Sequence, residues 1–117
     1  MIEGIGLDII ELDRIANLDV RSEKFRARIL TAKETGMYAM LHGHRRTEFL
    51  AGRFAGKEAF AKAKGTGIGV GCNFTDIEIL PDGNGKPELY FKGRTVSGFI
   101  SITHTQRVAA AQVILLT

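Results

Sequence analysis

The stretch Leu50-Ala51-Gly52-Arg53-Phe54-Ala55-Gly56-Lys57-Glu58-Ala59-Phe60-Ala61-Lys62-Ala63-Lys64-Gly65-Thr66-Gly67-Ile68-Gly69 decides how this chain is organised. Ala, Leu, Glu, Lys and Arg dominate it and no proline interrupts it, so it predicts one long helix. Gly65 is a natural stop, because glycine takes the left-handed conformation without a Cβ penalty. Gly67 and Gly69 leave the following loop free to bend close to something. The helix is apolar at Leu50, Phe54, Phe60 and Ala61, yet it carries Arg53, Lys57, Glu58 and Lys62 in its middle. Glu58 and Lys62 are four apart and share a face. One carboxylate among cations suits a site that holds a metal and an anion together.

Towards the N-terminus, Ile2 to Ile10 reads as a strand. A period of two makes Ile5, Leu7 and Ile9 the apolar set and places Gly4, Gly6 and Asp8 on the other face. Two glycines beside an aspartate leave room for a ligand or another backbone to approach. The bland reading of Asp8 is a solvated acid at a strand end. Asp13 is the expected cap of a short helix over Arg14–Leu18. Ser22 begins a second helix, on which Phe25 and Ile29 stack while Arg21, Lys24 and Arg28 form a basic face. That face reads either as a solvated surface or as a dock, with arginines around an exposed apolar residue that fit an acidic helix. Thr31 and Glu34 match a capping box, predicting a third helix to about Leu41. Gly43 breaks it. His42 and His44 flank that glycine and are read as exposed, with His44-Arg45-Arg46 as possible phosphate contacts at the start of the long helix.

Beyond the glycine run, Phe74 to Leu80 alternates as a strand. Asp82-Gly83-Asn84-Gly85 is a strong hairpin turn, and Pro87 to Phe91 returns from it. Phe99 to His104 and Val108 to Leu116 form two final strands. Ile100, Ile102 and His104 share one face of the first. The order of one strand, then helices, then several strands gives an α+β class with an antiparallel sheet.

The 117 residues allow one domain, expected to span 1–117. Apolar residues make up 44% and charged residues 25%, ordinary for a soluble globular chain. No run is apolar enough to cross a membrane. Glu3 and Asp8 interrupt what would be a signal core, and cytoplasm is the expected compartment. Cys72 is the lone cysteine, so no internal disulfide or cysteine metal cluster can form. The net charge of +3 is unevenly spread: residues 14–64 hold twelve lysines and arginines against five acids. A helical half this basic wants an anionic partner, whether nucleic acid, a phosphorylated cofactor or an acidic protein.

Four blocks taken together are specific: Gly4-Ile5-Gly6-Leu7-Asp8-Ile9-Ile10-Glu11-Leu12, Phe49 to Ala63, Gly65-Thr66-Gly67-Ile68-Gly69, and Ser101-Ile102-Thr103-His104-Thr105. In order and spacing the chain resembles, nearly end to end, the bacterial holo-acyl-carrier-protein synthases. These are the small single-domain class of 4′-phosphopantetheinyl transferases. The resemblance implies their fold, an antiparallel sheet against a long central helix. It implies transfer of the 4′-phosphopantetheine arm of coenzyme A to a serine of apo-acyl carrier protein, releasing adenosine 3′,5′-bisphosphate, in fatty acid biosynthesis.

The resemblance further implies magnesium held by Asp8 and Glu58, with Lys62 beside it as a third catalytic group. Magnesium keeps several waters and needs only one or two carboxylates plus phosphate oxygens. The serine proton could leave to water, Asp8 or Glu58. Coenzyme A would be bound by His44, Arg45, Arg53, Lys62, Gly65, Gly67 and His104, with Gly85-Lys86-Pro87 along the adenine. Arg14, Arg21, Phe25 and Arg28 would dock the carrier protein. A homotrimer with active sites between protomers is implied as well. Three departures stand out. The segment between Phe91 and Phe99 leaves room for only a minimal helix, Gly56 replaces a common alanine, and His44 stands at a position that is often basic. The competing reading is a non-catalytic basic module for an acidic protein or nucleic acid. No nucleic-acid motif is visible, and the aromatic residues are mostly Phe at core-like spacing.

Overall fold

The computed structural model describes residues 1–117. Its elements, in chain order, are β1 (Ile2–Glu11), α1 (Leu12–Arg21), α2 (Glu23–Ile29), α3 (Ala32–Ala39) and α4 (His44–Lys64). A single 3-10 turn (Phe74–Asp76) precedes β2 (Ile77–Pro81), β3 (Pro87–Phe91), β4 (Arg94–Thr95), β5 (Gly98–His104) and β6 (Val108–Leu116). Two antiparallel three-stranded sheets result, ordered β1-β6-β5 and β2-β3-β4.

Helix α4 has 21 residues, about 30 Å, and the rest of the chain packs around it. It ends at Gly65 with φ +85°, whose N–H returns to the carbonyls of Ala61 and Lys62. Ala51, Ala55, Ala59 and Ala61 are fully buried on it. These short side chains let both sheets close on the helix. Gly56 belongs to the same surface. A Cβ there would meet Ile79 Cδ1 at 2.7 Å and Ile100 Cδ1 at 3.0 Å. The sheet isoleucines fill the space that alanine would take.

The two faces of β1 are the reverse of what hydropathy suggests. Ile5, Leu7 and Ile9 are 57%, 62% and 65% exposed. The Gly4, Gly6 and Asp8 face is the inner one. A Cβ at Gly4 would sit 2.0 Å from the Ala63 carbonyl oxygen, and at Gly6 1.8 Å from that of Ala59. The backbone that the glycines admit is therefore helix α4. Strand and helix touch main chain to main chain, which only glycine permits.

The helical half is built mostly as its capping signals indicate. Ser22 accepts the Lys24 N–H at 3.1 Å. Thr31 and Glu34 form the reciprocal capping box, and α3 stops at Ala39. Helix α1 is longer than Arg14–Leu18: it starts at Leu12 and its cap position is Glu11, without a side-chain cap bond. Leu12 N–H is instead satisfied by the Arg107 carbonyl at 2.8 Å, so tertiary pairing replaces the cap expected of Asp13. Asp19 ties the helices together. It accepts from Arg26 Nε at 2.9 Å and from Tyr38 Oη at 2.6 Å. The guanidinium groups of Arg26 and Arg46 lie 4.4 and 4.8 Å from the Tyr38 ring centre.

The strand expected over Phe74–Leu80 starts late. Residues 74–76 form the 3-10 turn, because Asp76 caps back onto the Asn73 N–H and holds the chain curled. The Asp82 turn is as expected: its carboxylate accepts from the Asn84 and Lys86 N–H groups. Between Phe91 and Phe99 no helix forms. Lys92 and Gly93, at φ 51° and 82°, make a tight turn into the two-residue strand β4.

Candidate active site

Asp8 lies on the inner face of β1, beside the glycines that let the strand touch α4. Its register partner on β6 is the buried Ala111. Lys62 reaches across from α4. Its Nζ donates to Asp8 Oδ1 at 3.0 Å and to the Leu7 carbonyl at 3.0 Å. Asp8 Oδ2 is buried and has no hydrogen-bond partner. Glu58, one turn before Lys62, stands close enough to feel Asp8. Burial first, and then the Asp8 carboxylate, raise its pKa above the ordinary value, while Lys62 opposes them.

Two carboxylates that repel each other, one with an orphaned oxygen, suit a shared hard cation. No three His, Cys, Asp or Glu side chains are arranged to hold a metal ion by themselves. Asp8 and Glu58 offer two carboxylates without a closed cage.

A second constellation occupies the other half of α4. Arg45, Glu48, Phe49, Gly52 and Arg53 from the helix, Gly85 and Pro87 from the β2–β3 hairpin, and Ile102 and His104 from β5 line a cavity of about 300 Å³. Gly52 opens it, since a Cβ there would press on Ile102 at 3.2 Å. The Arg53 guanidinium stacks 4.3 Å from the Phe49 ring centre. Its Nε is buried without a partner. Burial depresses its pKa, partly countered by Glu34. A cationic fork with an unused donor, in a partly apolar cavity, fits an anion on a flat ring system.

The sequence-derived candidates thus divide. Arg45, Arg53, Gly85, Pro87 and His104 come together in this cavity. His44 does not line it, but its Nε2 lies 3.8 Å from Glu48 Oε2. Lys86 leans away, its Nζ 5.4 Å from the Phe99 ring centre. Asp8, Glu58 and Lys62 form the other cluster, and Gly65 and Gly67 follow at the end of α4. No residue of the carboxylate cluster lines the cavity. Glu48 and Glu58 are ten residues apart on the helix, about 15 Å along its axis.

On the helical face, Arg14, Arg21 and Arg28 are exposed and enter none of the chain's ion pairs. Phe25 is half-buried and turned inward, its ring centre 6.3 Å from that of Phe54. The exposed apolar residue among the arginines is Val20, at 87%.

Sequence reasoning missed three residues. Lys57 is buried and donates to Glu34 Oε1 at 2.5 Å and to the Ile29 carbonyl at 2.6 Å. Glu34 is buried too, and its Oε2 accepts from the Ile79 N–H at 2.8 Å. Lys57 and Glu58 are neighbours in sequence, yet Lys57 belongs to the core and Glu58 to the site. The third is Glu48, which faces His104 across the cavity. Its spacing of four from His44 was a visible signal.

Comparison with known proteins agrees with this architecture. The family model of the 4′-phosphopantetheinyl transferase superfamily matches residues 4–114. A holo-[acyl-carrier-protein] synthase of Listeria innocua is 54% identical, over 98% of this chain and 98% of its own. The crystal structure of a holo-(acyl-carrier-protein) synthase from Bacillus anthracis in complex with CoA (3′,5′-ADP) matches with a TM-score of 0.87 at 49% identity, covering 98% of this chain and 96% of that one. That of the holo-[acyl-carrier-protein] synthase from Neisseria meningitidis matches with a TM-score of 0.89 at 36% identity over the whole of both chains. From its first strand to its last, this chain belongs to the 4′-phosphopantetheinyl transferase superfamily.

Proposed function

We propose that this chain, acting as one domain, transfers the 4′-phosphopantetheine arm of coenzyme A to a serine hydroxyl of apo-acyl carrier protein. The other product is adenosine 3′,5′-bisphosphate, and the setting is fatty acid biosynthesis in the cytoplasm. The single observation that carries the reading is the meeting of Asp8, Glu58 and Lys62 where β1 crosses α4, with Asp8 Oδ2 left unpartnered.

Asp8 and Glu58 are the residues that would hold magnesium. When bound there, the ion stabilises charge on the diphosphate that is cleaved. Lys62 is tied to Asp8 and to the Leu7 carbonyl, so its charge is fixed in place. An ammonium has three donors, and the one left over serves a phosphate oxygen. Arg45, Arg53 and His104 bind the 3′-phosphate end of the nucleotide. The rigid Gly85–Pro87 turn bounds the same cavity and excludes water from the base. Arg14, Arg21 and Arg28 meet the acidic carrier protein. Charge at such a rim mainly steers and orients the partner.

The separation of the two clusters supports a site shared between copies. So does the exposed row of Ile5, Leu7 and Ile9, a face that a homotrimer covers. A three-fold ring brings the carboxylate cluster of one protomer towards the nucleotide cavity of the next.

The test mixes the protein with coenzyme A, magnesium and an apo-carrier protein, and weighs the carrier. Its mass should rise by one phosphopantetheine arm; a constant mass removes the reading. Shared sites have a separate test. Asp8→Asn and Arg53→Ala chains, each inert alone, should regain activity when unfolded together and refolded as a mixture. No recovery means that each chain carries a whole site.

A further inference from the structure

Glu48 is an acid inside a cavity otherwise built for an anion. It lines the cavity with Arg45, Arg53 and His104. Its Oε2 lies 3.2 Å from His104 Nδ1, and its side chain is 23% exposed. On simple Coulomb grounds, a carboxylate here repels a phosphate and weakens the site.

The contact with His104 changes that account. An imidazole has two distinct nitrogens, and the partner of one decides what the other offers. His104 ends strand β5, 47% exposed, where little packing would fix its ring. With Nδ1 turned to the Glu48 carboxylate, Nε2 is the nitrogen left for a ligand in the cavity. The other charged groups lining this space are Arg45 and Arg53, and His44 reaches Glu48 from outside it, all three on α4. The β2–β3 hairpin adds Pro81, Gly85 and Pro87, which carry no charge.

We propose that Glu48 is a positioning residue for the 3′-phosphate subsite: its carboxylate, 3.2 Å from His104 Nδ1, holds the ring by charge and so aims Nε2 at the phosphate. This rests on the reading of the cavity as the nucleotide 3′-phosphate site. Glu48 touches no ligand atom itself. It converts a rim histidine that could point anywhere into a directed phosphate group.

The test measures binding of adenosine 3′,5′-bisphosphate and of adenosine 5′-monophosphate to the whole protein by titration calorimetry. Wild-type protein should prefer the bisphosphate. Equal affinity, or no binding of either, removes the nucleotide reading before Glu48 is reached. Given that preference, Glu48→Ala should weaken the bisphosphate about tenfold and leave the monophosphate within twofold. Glu48→Gln keeps the shape without the charge and should weaken the bisphosphate about as far as Ala. In a His104→Ala background, Glu48→Ala should cost nothing more. The proposal is overturned if Glu48→Ala binds the bisphosphate as well as wild type. It is also overturned if both nucleotides weaken alike, if Gln binds like wild type, or if the two losses add.

Discussion

Lys57 Nζ lies 2.5 Å from Glu34 Oε1, and neither side chain has any exposure to solvent. This pair joins four segments. Glu34 also accepts from the Thr31 N–H and the Ile79 N–H, and Lys57 also donates to the Ile29 carbonyl. The helical half and the β2–β3 hairpin are thereby fastened to the helix that carries Arg53 and Glu58. Burial lowers the Lys57 pKa, and the Glu34 carboxylate opposes that shift.

Removing one partner leaves the other as an unpaired buried charge. Lys57→Met should therefore destabilise the fold by about 3–5 kcal/mol. The double change Lys57→Met with Glu34→Leu should lose less than Lys57→Met alone. Urea unfolding of the three proteins decides the matter, and a Lys57→Met variant as stable as wild type refutes it.

Gly6→Ala forces a methyl group into the Ala59 carbonyl, where a Cβ would lie 1.8 Å away. Backbone on both sides leaves nothing flexible to yield. We expect a loss of about 3 kcal/mol, at the upper end for an overpacked site, and little remaining activity because Asp8 rides on the same strand. By contrast Gly36→Ala, where a Cβ meets nothing within 4 Å, should not harm stability. Thermal melts of both variants test the contrast.

Glu58 has its pKa raised in the folded protein, by burial and then by Asp8. The folded state therefore binds this proton more tightly than the unfolded state. That contribution is fully present below the ordinary glutamate pKa and disappears as pH rises through the folded value. Without metal, the melting temperature of wild type should fall across this window relative to Glu58→Gln. The variant should melt higher at neutral pH and be unable to turn over. Adding magnesium at neutral pH should raise the wild-type melting temperature and leave Glu58→Gln nearly unmoved. A variant that responds to magnesium like wild type would take Glu58 out of the metal site.

Arg28→Glu reverses a charge on an exposed face, with no ion pair of its own to break. The Michaelis constant for carrier protein should rise about tenfold, equivalent to about 1.4 kcal/mol. The value for coenzyme A and the turnover number should stay the same. Raising salt should shrink the difference between the two proteins, since exposed charges are screened. Equal constants for carrier would show that this face does not dock it.

Much of this was legible in the sequence because the signals were local. The long helix with its Gly65 stop, the Thr31–Glu34 box, the Asp82 turn and both final strands follow from propensity, capping and periodicity. The α+β class was legible as well. The inside of β1 was not, because hydropathy takes apolar residues as the buried set. Here glycines are buried to admit a helix, and isoleucines are left outside. Lys57 was read with the site because it adjoins Glu58. One residue step turns about 100° around a helix, enough to send one side chain to the core and the next to the cleft. Nothing local marks that Glu34, already used in a cap, would reach 23 residues along the chain for Lys57. Glu48 showed only its spacing of four from His44, since its other partner His104 arrives from a distant strand.

The alternation along β1 also limits how this strand can change. Sliding it one place against α4 would drive Ile5, Leu7 and Ile9 into the helix backbone and swing Asp8 to the outside. Correct registry at Gly4 and Gly6 is thus the same event as delivery of the aspartate to its place. A chain that misthreads there loses shape and chemistry together, and no well-folded but idle form can accumulate from that error.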